Sequence, residues 1–432
     1  MTQLLNICNF FCRKVKYLIL TFLLLTFAHS SETLTFIEQI KLYENPYWSK
    51  LLHYRNGVSE IDSSNFFISN DGKRELKKEL FETINALENG TQNILCRFPL
   101  RVSWLKENIP TLKDKIITYE CKELDEFLSL IDAKYVTMVF PTAHINSPAS
   151  MYGHTFLRVS SNNETPLISN AINYAAATDE TNGLIFAYKG LFGGYEGRYS
   201  ILPYYEKIKE YNNLEQRDIW EYDLALTQEE INRLVLHTFE LKDSYSDYFF
   251  FKENCSYNVL WLLEIARKDL DLVSEFDFKT VPLDSIKVLL EYDLIKGTNF
   301  RYSSMRKMKY ILNEKIKNKE YLKVFVNEDI PINGSLSIED KISYLDFKIL
   351  YLQYQRANSE YNKEEYLKKY LQLLKQRSDY KEASFYDIKT PFNPLYSHDS
   401  AKISFFYDSN DSFEFGAKPA YNDIYDISDG DL

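Results

Sequence analysis

The chain has no excess of positive charge, no metal-binding spacing of cysteine and histidine, and only one long apolar run; each shortage removes a class of function. Lys and Arg number 51 against 62 Asp and Glu, for a net charge of −11. That leaves no basic footprint for a polyphosphate, so no nucleic-acid partner is expected. No CxxC pair occurs, and none of the six histidines has another three or four residues away, so neither a zinc site nor any other cofactor is expected. After the run Tyr17 to Phe27 there is no second apolar stretch of spanning length, and the exported chain is therefore expected to be soluble. What the chain has in plenty is aromatic surface, 34 Tyr and 29 Phe, which suits contact with sugars, lipids or a membrane interface.

With 432 residues, 45% apolar and 26% charged, the sequence is that of a globular protein too long for one core, and two or three domains are expected. Arg13, Lys14 and Lys16 precede the apolar run, and Ala28-His29-Ser30 follow it. This pattern reads as a secretory signal over residues 1–30. Of the five cysteines, Cys8 and Cys12 go with that signal. In an oxidising compartment Cys96 and Cys121 are natural disulfide partners, closing a loop worth about 3 kcal/mol, and Cys255 is left odd.

Helical spacing of Leu34, Ile37 and Ile40, then Trp48, Leu51 and Leu52, predicts an N-terminal helical lobe over residues 31–90. A central domain is expected over 91–284. In it YVTMVF, MYGHTFLRV, LISNAINYAA and DIWEYDLAL read as strands, and Thr227 to Lys242 as a helix. A turn centred on Asn162-Asn163 predicts a hairpin with His154 opposite Ala171 and Asn173 diagonally beside it on the same face. Lys189 to Tyr205 reads as a glycine- and tyrosine-rich loop. Residues 285–390 read as helical, with a helical hairpin built on Ile342, Leu345, Ile349 and Leu352 and then Tyr366, Tyr370 and Leu374. Residues 391–432 form a β-rich tail with two short strands.

Cys255 stands directly before an apolar run, Val259 to Ala266, that reads as a buried helix. Asn254 is a good N-cap, which puts the thiol in the first turn, where free N–H groups and the dipole favour a thiolate. The rival reading is a small core residue. A nucleophilic thiol needs a base, and the base needs an orienting group. His29 goes with the signal, His53 and His237 fall in helical stretches, and His398 lies in the tail. His154, in a strand beside Gly153, is the first choice, with His144 second.

Several stretches carry a resemblance: SPASMYGHTFLRV (Ser147 to Val159), NYAA (Asn173 to Ala176), Lys189 to Tyr222, YFFFKENCSYNVLWLLE (Tyr248 to Glu264), CRFPLRVSWL (Cys96 to Leu105) and Trp48 to Ser69. Together they resemble the N-terminal periplasmic domain of Lnb-type lipoprotein N-acyltransferases, which is similar to permuted papain-like thiol enzymes. The resemblance implies an α+β fold, with a papain-like catalytic domain of antiparallel sheet plus cysteine-bearing helix flanked by N- and C-terminal helical lobes. It implies Cys255 as nucleophile and His154 as base. Asn173 is then the orienting group by hairpin register, with Asn170 or Ser169 taking its place if the turn slips. The backbone N–H of Cys255, supported by Asn254 or Ser256, is expected to hold an oxyanion, and Phe192, Tyr195 and Tyr204 to form a lipid-facing loop. The implied reaction moves an acyl chain from a phospholipid to the α-amino group of a diacylglyceryl lipoprotein, in the periplasm and at the membrane surface. Larger members continue beyond a stretch like Ala417 to Leu432, so either that further portion is dispensable or the tail is cut short. A thiol peptidase or amidase acting on peptidoglycan, or a scaffold without enzymatic activity, are the rival readings.

Overall fold

The computed structural model describes residues 33–116, 119–142, 153–161, 165–180, 182–327, 330–358, 362–407 and 412–418. The signal region 1–30 and His144 lie outside the described residues. The fold is mixed α+β around a seven-stranded sheet. Its strands are β1 (Tyr135–Pro141), β2 (Phe156–Ser160), β3 (Asn170–Ala176), β4 (Tyr195–Pro203), β5 (Ile219–Leu224), β6 (Ser246–Tyr248) and β7 (Ile295–Arg301). They lie in the order β6-β4-β3-β2-β1-β5-β7, and every pairing from β4 across to β7 is antiparallel. The helices that matter below are α1 (Leu76–Glu88), α2 (Pro99–Asn108), α3 (Gly183–Phe192), α4 (Gln228–Leu241), α5 (Cys255–Ala266), α6 (Ile338–Ala357) and α7 (Lys363–Ser378).

The chain divides into two compact units. The first comprises the chain up to Leu130 with Asn232–Asp247 and Trp261–Leu270; the second comprises Ile131–Ile231, Tyr248–Leu260 and Asp271 onward. In the first, Trp48 stacks on Trp104 at 5.5 Å, and the expected disulfide joins Cys96 to Cys121 across a Cα separation of 5.3 Å. Arg101 of α2 is wholly buried, with its guanidinium 4.0 Å from the ring of Phe66 and 4.2 Å from that of Phe98. It faces Glu79 of α1 at 3.4 Å, and its backbone N–H donates to Glu240 of α4 at 2.9 Å. Beside it, His53 and His237 meet through their Nε2 atoms at 2.9 Å, and His237 Nδ1 lies 2.9 Å from Glu240. His237 is helical as expected. His53 is not: it sits in a turn at φ 50°, the left-handed region, because the chain reverses there into the short pairing of Tyr54–Arg55 with Val58–Ser59.

In the second unit β1 is buried from Val136 to Pro141. That explains its apolar sequence, broken only by Thr137, since a strand covered on both faces has no need to alternate. One face packs Val139, Phe156, Ala171 and Ile219 against Tyr204 and Tyr211. The expected helical hairpin is α6 with α7, capped by the side chains of Ser337 and Asn362 and built on Tyr344, Leu345, Leu352 and Leu373 with Phe325. The two tail strands are Lys402–Tyr407 and Phe413–Lys418, paired only with each other.

Two expectations need correction. Lys189 to Tyr205 is no loop: it is the end of α3, then β4, then the short helix Tyr204–Ile208. Its alternating Tyr195, Gly197 and Tyr199 make a half-buried strand. And β7 interrupts the helical region as an edge strand; one partner and an exposed flank let IKGTNFR form a strand without clear apolar alternation.

Candidate thiol site

The cysteine is placed by its cap. Asn254 Oδ1 accepts the backbone N–H of Ser256 at 3.0 Å and of Tyr257 at 3.2 Å, and Cys255 opens α5. The Asn254 amide nitrogen donates to the carbonyls of Phe250 at 3.0 Å and Thr280 at 2.7 Å. Its donors are thus taken up in fixing the helix start, and it holds the site without facing an incoming ligand.

His154 is placed by a glycine. Gly153 has φ +92°, and a Cβ there would come within 2.6 Å of the Phe140 ring, so only glycine lets the chain enter β2 this close to β1. The imidazole Nε2 lies 2.8 Å from Asn173 Oδ1. An amide oxygen only accepts, which puts the proton on Nε2 and leaves Nδ1 for the thiol. Asn173 stands here although the register differs from expectation. Arg158, not His154, pairs with Ala171. The slip is four residues, an even number, so every side chain keeps its face.

The Cys255 thiol is buried, 4% exposed, and hydrogen-bonds His154 and the backbone N–H of Thr155. Ser256 Oγ lies 3.9 Å from the sulfur and receives the hydroxyl proton of Thr155 at 2.8 Å. Burial pushes the thiol up, but the charge and hydrogen bond of His154 prevail and hold Cys255 at about 7. For His154, burial acts downward; the facing thiolate and the bonds to Cys255 and Asn173 outweigh it and raise the imidazole. Each group stabilises the charged form of the other, which is an ion pair in waiting. Tyr211 covers the imidazole at 5.8 Å between rings; it belongs to the π-helical turn Lys209–Leu214, a form that recurs at functional sites.

Sequence reasoning gave no role to Tyr248. Its hydroxyl lies beside Cys255, and burial together with that neighbour pushes the hydroxyl's pKa up; its ring lies flat on Tyr174 at 5.8 Å. Nothing in the run YFFFKENC marks one tyrosine for this, since the contact depends on where the sheet edge ends. The expected lipid-facing residues separate. Phe192 is 68% exposed, whereas Tyr195 and Tyr204 are buried, because Tyr195 points inward from β4 and the Tyr204 hydroxyl donates to buried Glu221. Among the described residues no group of three or more His, Cys, Asp or Glu is placed to hold a metal, and no helix is long and apolar enough to cross a membrane.

A lone thiol at a helix start, against an imidazole whose far nitrogen is fixed by an amide, defines a thiol–imidazole centre built on an antiparallel sheet. Residues 123–292, which contain all of it, match the family described as the Lnb N-terminal periplasmic domain. Residues 40–108 match a domain of unknown function, DUF7843. No curated protein and no solved structure matches the chain.

Proposed function

We propose that the chain is a thiol-dependent lipoprotein N-acyltransferase, working in the periplasm at a membrane surface on the plan of a permuted papain-like enzyme flanked by helical lobes. The observation that carries the reading is the line Cys255, His154, Asn173, with sulfur, imidazole and amide oxygen in hydrogen-bonding sequence. In the first step the thiolate attacks the ester carbonyl of a phospholipid. The carbon–oxygen bond breaks, the lysophospholipid leaves with the proton of the imidazolium, and the acyl chain stays on Cys255 as a thioester. In the second step the α-amino group of a diacylglyceryl-cysteine attacks that thioester and His154 takes its proton. The carbon–sulfur bond then breaks to return the thiolate and release an amide. In both steps the Cys255 backbone N–H, at the open start of α5, holds the oxyanion. Burial of the sulfur supports the reading, because a thioester that must await an amine has to be kept from water.

The test mixes purified protein, phospholipid and a diacylglyceryl lipopeptide, and follows the lipopeptide by mass spectrometry. A gain of one acyl chain, absent in Cys255→Ala, is the expected result. Cleavage of muropeptides without acyl gain selects the peptidase reading, and neither product selects the scaffold.

A further inference from the structure

The second unit carries an apolar helix face that the described residues leave exposed. Helix α3 is closed by its own sequence: Asn182 Oδ1 accepts from the N–H groups of Leu184 and Ile185 at 3.0 and 3.2 Å, and Gly193 ends it at φ +74°. Leu184, Ile185, Tyr188, Leu191 and Phe192 fall along one side of the helix at helical spacing. Leu184 is 85% exposed, Tyr188 65% and Phe192 68%. From Asn182 to Gly194 the single charged side chain is Lys189, and its ammonium leans over the Tyr195 ring at 5.4 Å.

The other side of α3 is seated on the segment that leads into Cys255. Gly190 lies so close under Phe250 that a Cβ would come within 2.2 Å of that ring, and a Cβ on Gly193 would come within 2.4 Å of Phe249. Phe186 packs on Phe250 at 5.0 Å, and the Phe250 N–H donates to the Gly190 carbonyl at 2.8 Å. Phe250 in turn supplies the carbonyl that holds Asn254, the cap of the thiol helix. One residue therefore ties the exposed face to the nucleophile.

We propose that α3 lies flat on a phospholipid bilayer, with Leu184, Tyr188 and Phe192 entering the interface. This rests on the acyl-transfer reading, whose donor is a two-chain lipid that stays in a bilayer. Three observations fit that occupant. The face is apolar and aromatic without a carboxylate, as in-plane interfacial helices are. Its tyrosine and phenylalanine are the ring types that settle at a lipid–water boundary. The chain carries a net charge of −11, so contact must come from apolar insertion and not from attraction to anionic headgroups.

The experiment uses the full chain with Cys8, Cys12 and Cys255 replaced by serine and a nitrobenzoxadiazole thiol probe at Tyr188→Cys or, as a control at a still more exposed site, Phe278→Cys. Mixed with phosphatidylcholine vesicles holding a spin-labelled lipid, the probe at 188 is expected to shift to the blue and be quenched, at high salt as at low, while the probe at 278 is not. Adding Leu184→Glu should raise the vesicle concentration for half-quenching at least roughly tenfold. A probe at 188 that stays unquenched overturns the proposal. So does a blue shift without vesicles that grows with protein concentration, which marks a contact between copies. The readout needs no turnover: docking without acyl transfer sinks only the proposed reaction, and transfer from monomeric lipid without docking sinks only this inference.

Discussion

His154 in one unit, and His53 with His237 in the other, are the same ring set among aromatic side chains, yet their protons behave oppositely. Burial lowers all three. For His53 nothing compensates: Trp261 stacks on it at 4.8 Å, and the neighbouring charges of His237 and Arg101 lower it further. His237 falls to about 3, through burial and then Arg101, and burial drives Glu240 up to about 7. His154 alone is raised, because it faces an acid, the Cys255 thiol, whose proton it can take. A histidine becomes a base where an acid shares its pocket; where an arginine already serves the carboxylates, it is held neutral and becomes part of the packing. The first cluster holds an acid–base pair, the second a fixed core.

The comparison breaks first at the sulfur. Cys255→Ala and His154→Ala should each lower acyl transfer by at least roughly a thousandfold. In His154→Ala the thiol, with burial now opposed only by the Thr155 N–H and Ser256, should move up, read as a rightward shift in the pH dependence of its alkylation. The wild-type rate should rise through about pH 7 as Cys255 ionises and fall again once His154 loses its proton. The second cluster should answer in stability instead. Arg101→Met strands Glu79 and Glu240 in the core and should cost about 3–5 kcal/mol by urea unfolding, without shifting the alkylation profile.

That cluster also makes a pH prediction. His237 has a folded value of about 3 against an ordinary 6.5, and His53 is lowered too, so their contribution is whole above 6.5 and is lost as pH falls below it. Glu240 has a folded value of about 7 against 4.5, so its contribution is whole below 4.5 and is lost as pH rises through 7. Glu79 is raised by burial too, so two rising histidine terms stand against two falling carboxylate terms, and the clear loss toward acid comes below 4.5, where only the histidines still titrate; His237→Gln should flatten that acid side. The milder changes come last. Asn173→Ala frees the ring without removing it and should cost roughly ten- to a hundredfold in kcat, mostly spared by Asn173→Gln if the amide reaches. Tyr248→Phe should cost only about two- to fivefold, since the Cys255 N–H remains for the oxyanion.

The helix start at Asn254 was legible because a cap is a local device, read from one residue and the run behind it. The pairing of His154 with Asn173 was legible despite a wrong register, since strand faces depend only on odd or even spacing. What stayed hidden is what distance in sequence conceals. His53 and His237 are 184 positions apart, and each alone looks like an ordinary histidine. Tyr248 and the seats at Gly190 and Gly193 depend on three-dimensional closeness with no pattern in the chain. The apolar face of α3 was anticipated only as aromatic richness between Lys189 and Tyr205, shifted toward the C-terminus, because a loop was assumed where a capped helix stands.

The first unit is assembled from three separated stretches, and Trp261–Leu270, the later part of the thiol helix, is one of them. The two family segments, 40–108 and 123–292, therefore do not coincide with pieces that can be cut apart: a clone of 123–292 alone would lack Arg101 and His53, and with them the neighbours of His237 and Trp261. Gene architecture should obey the same constraint, so that the two segments are inherited together, and any lineage that lost the earlier one would have had to rebuild the surface on which its nucleophile's own helix ends.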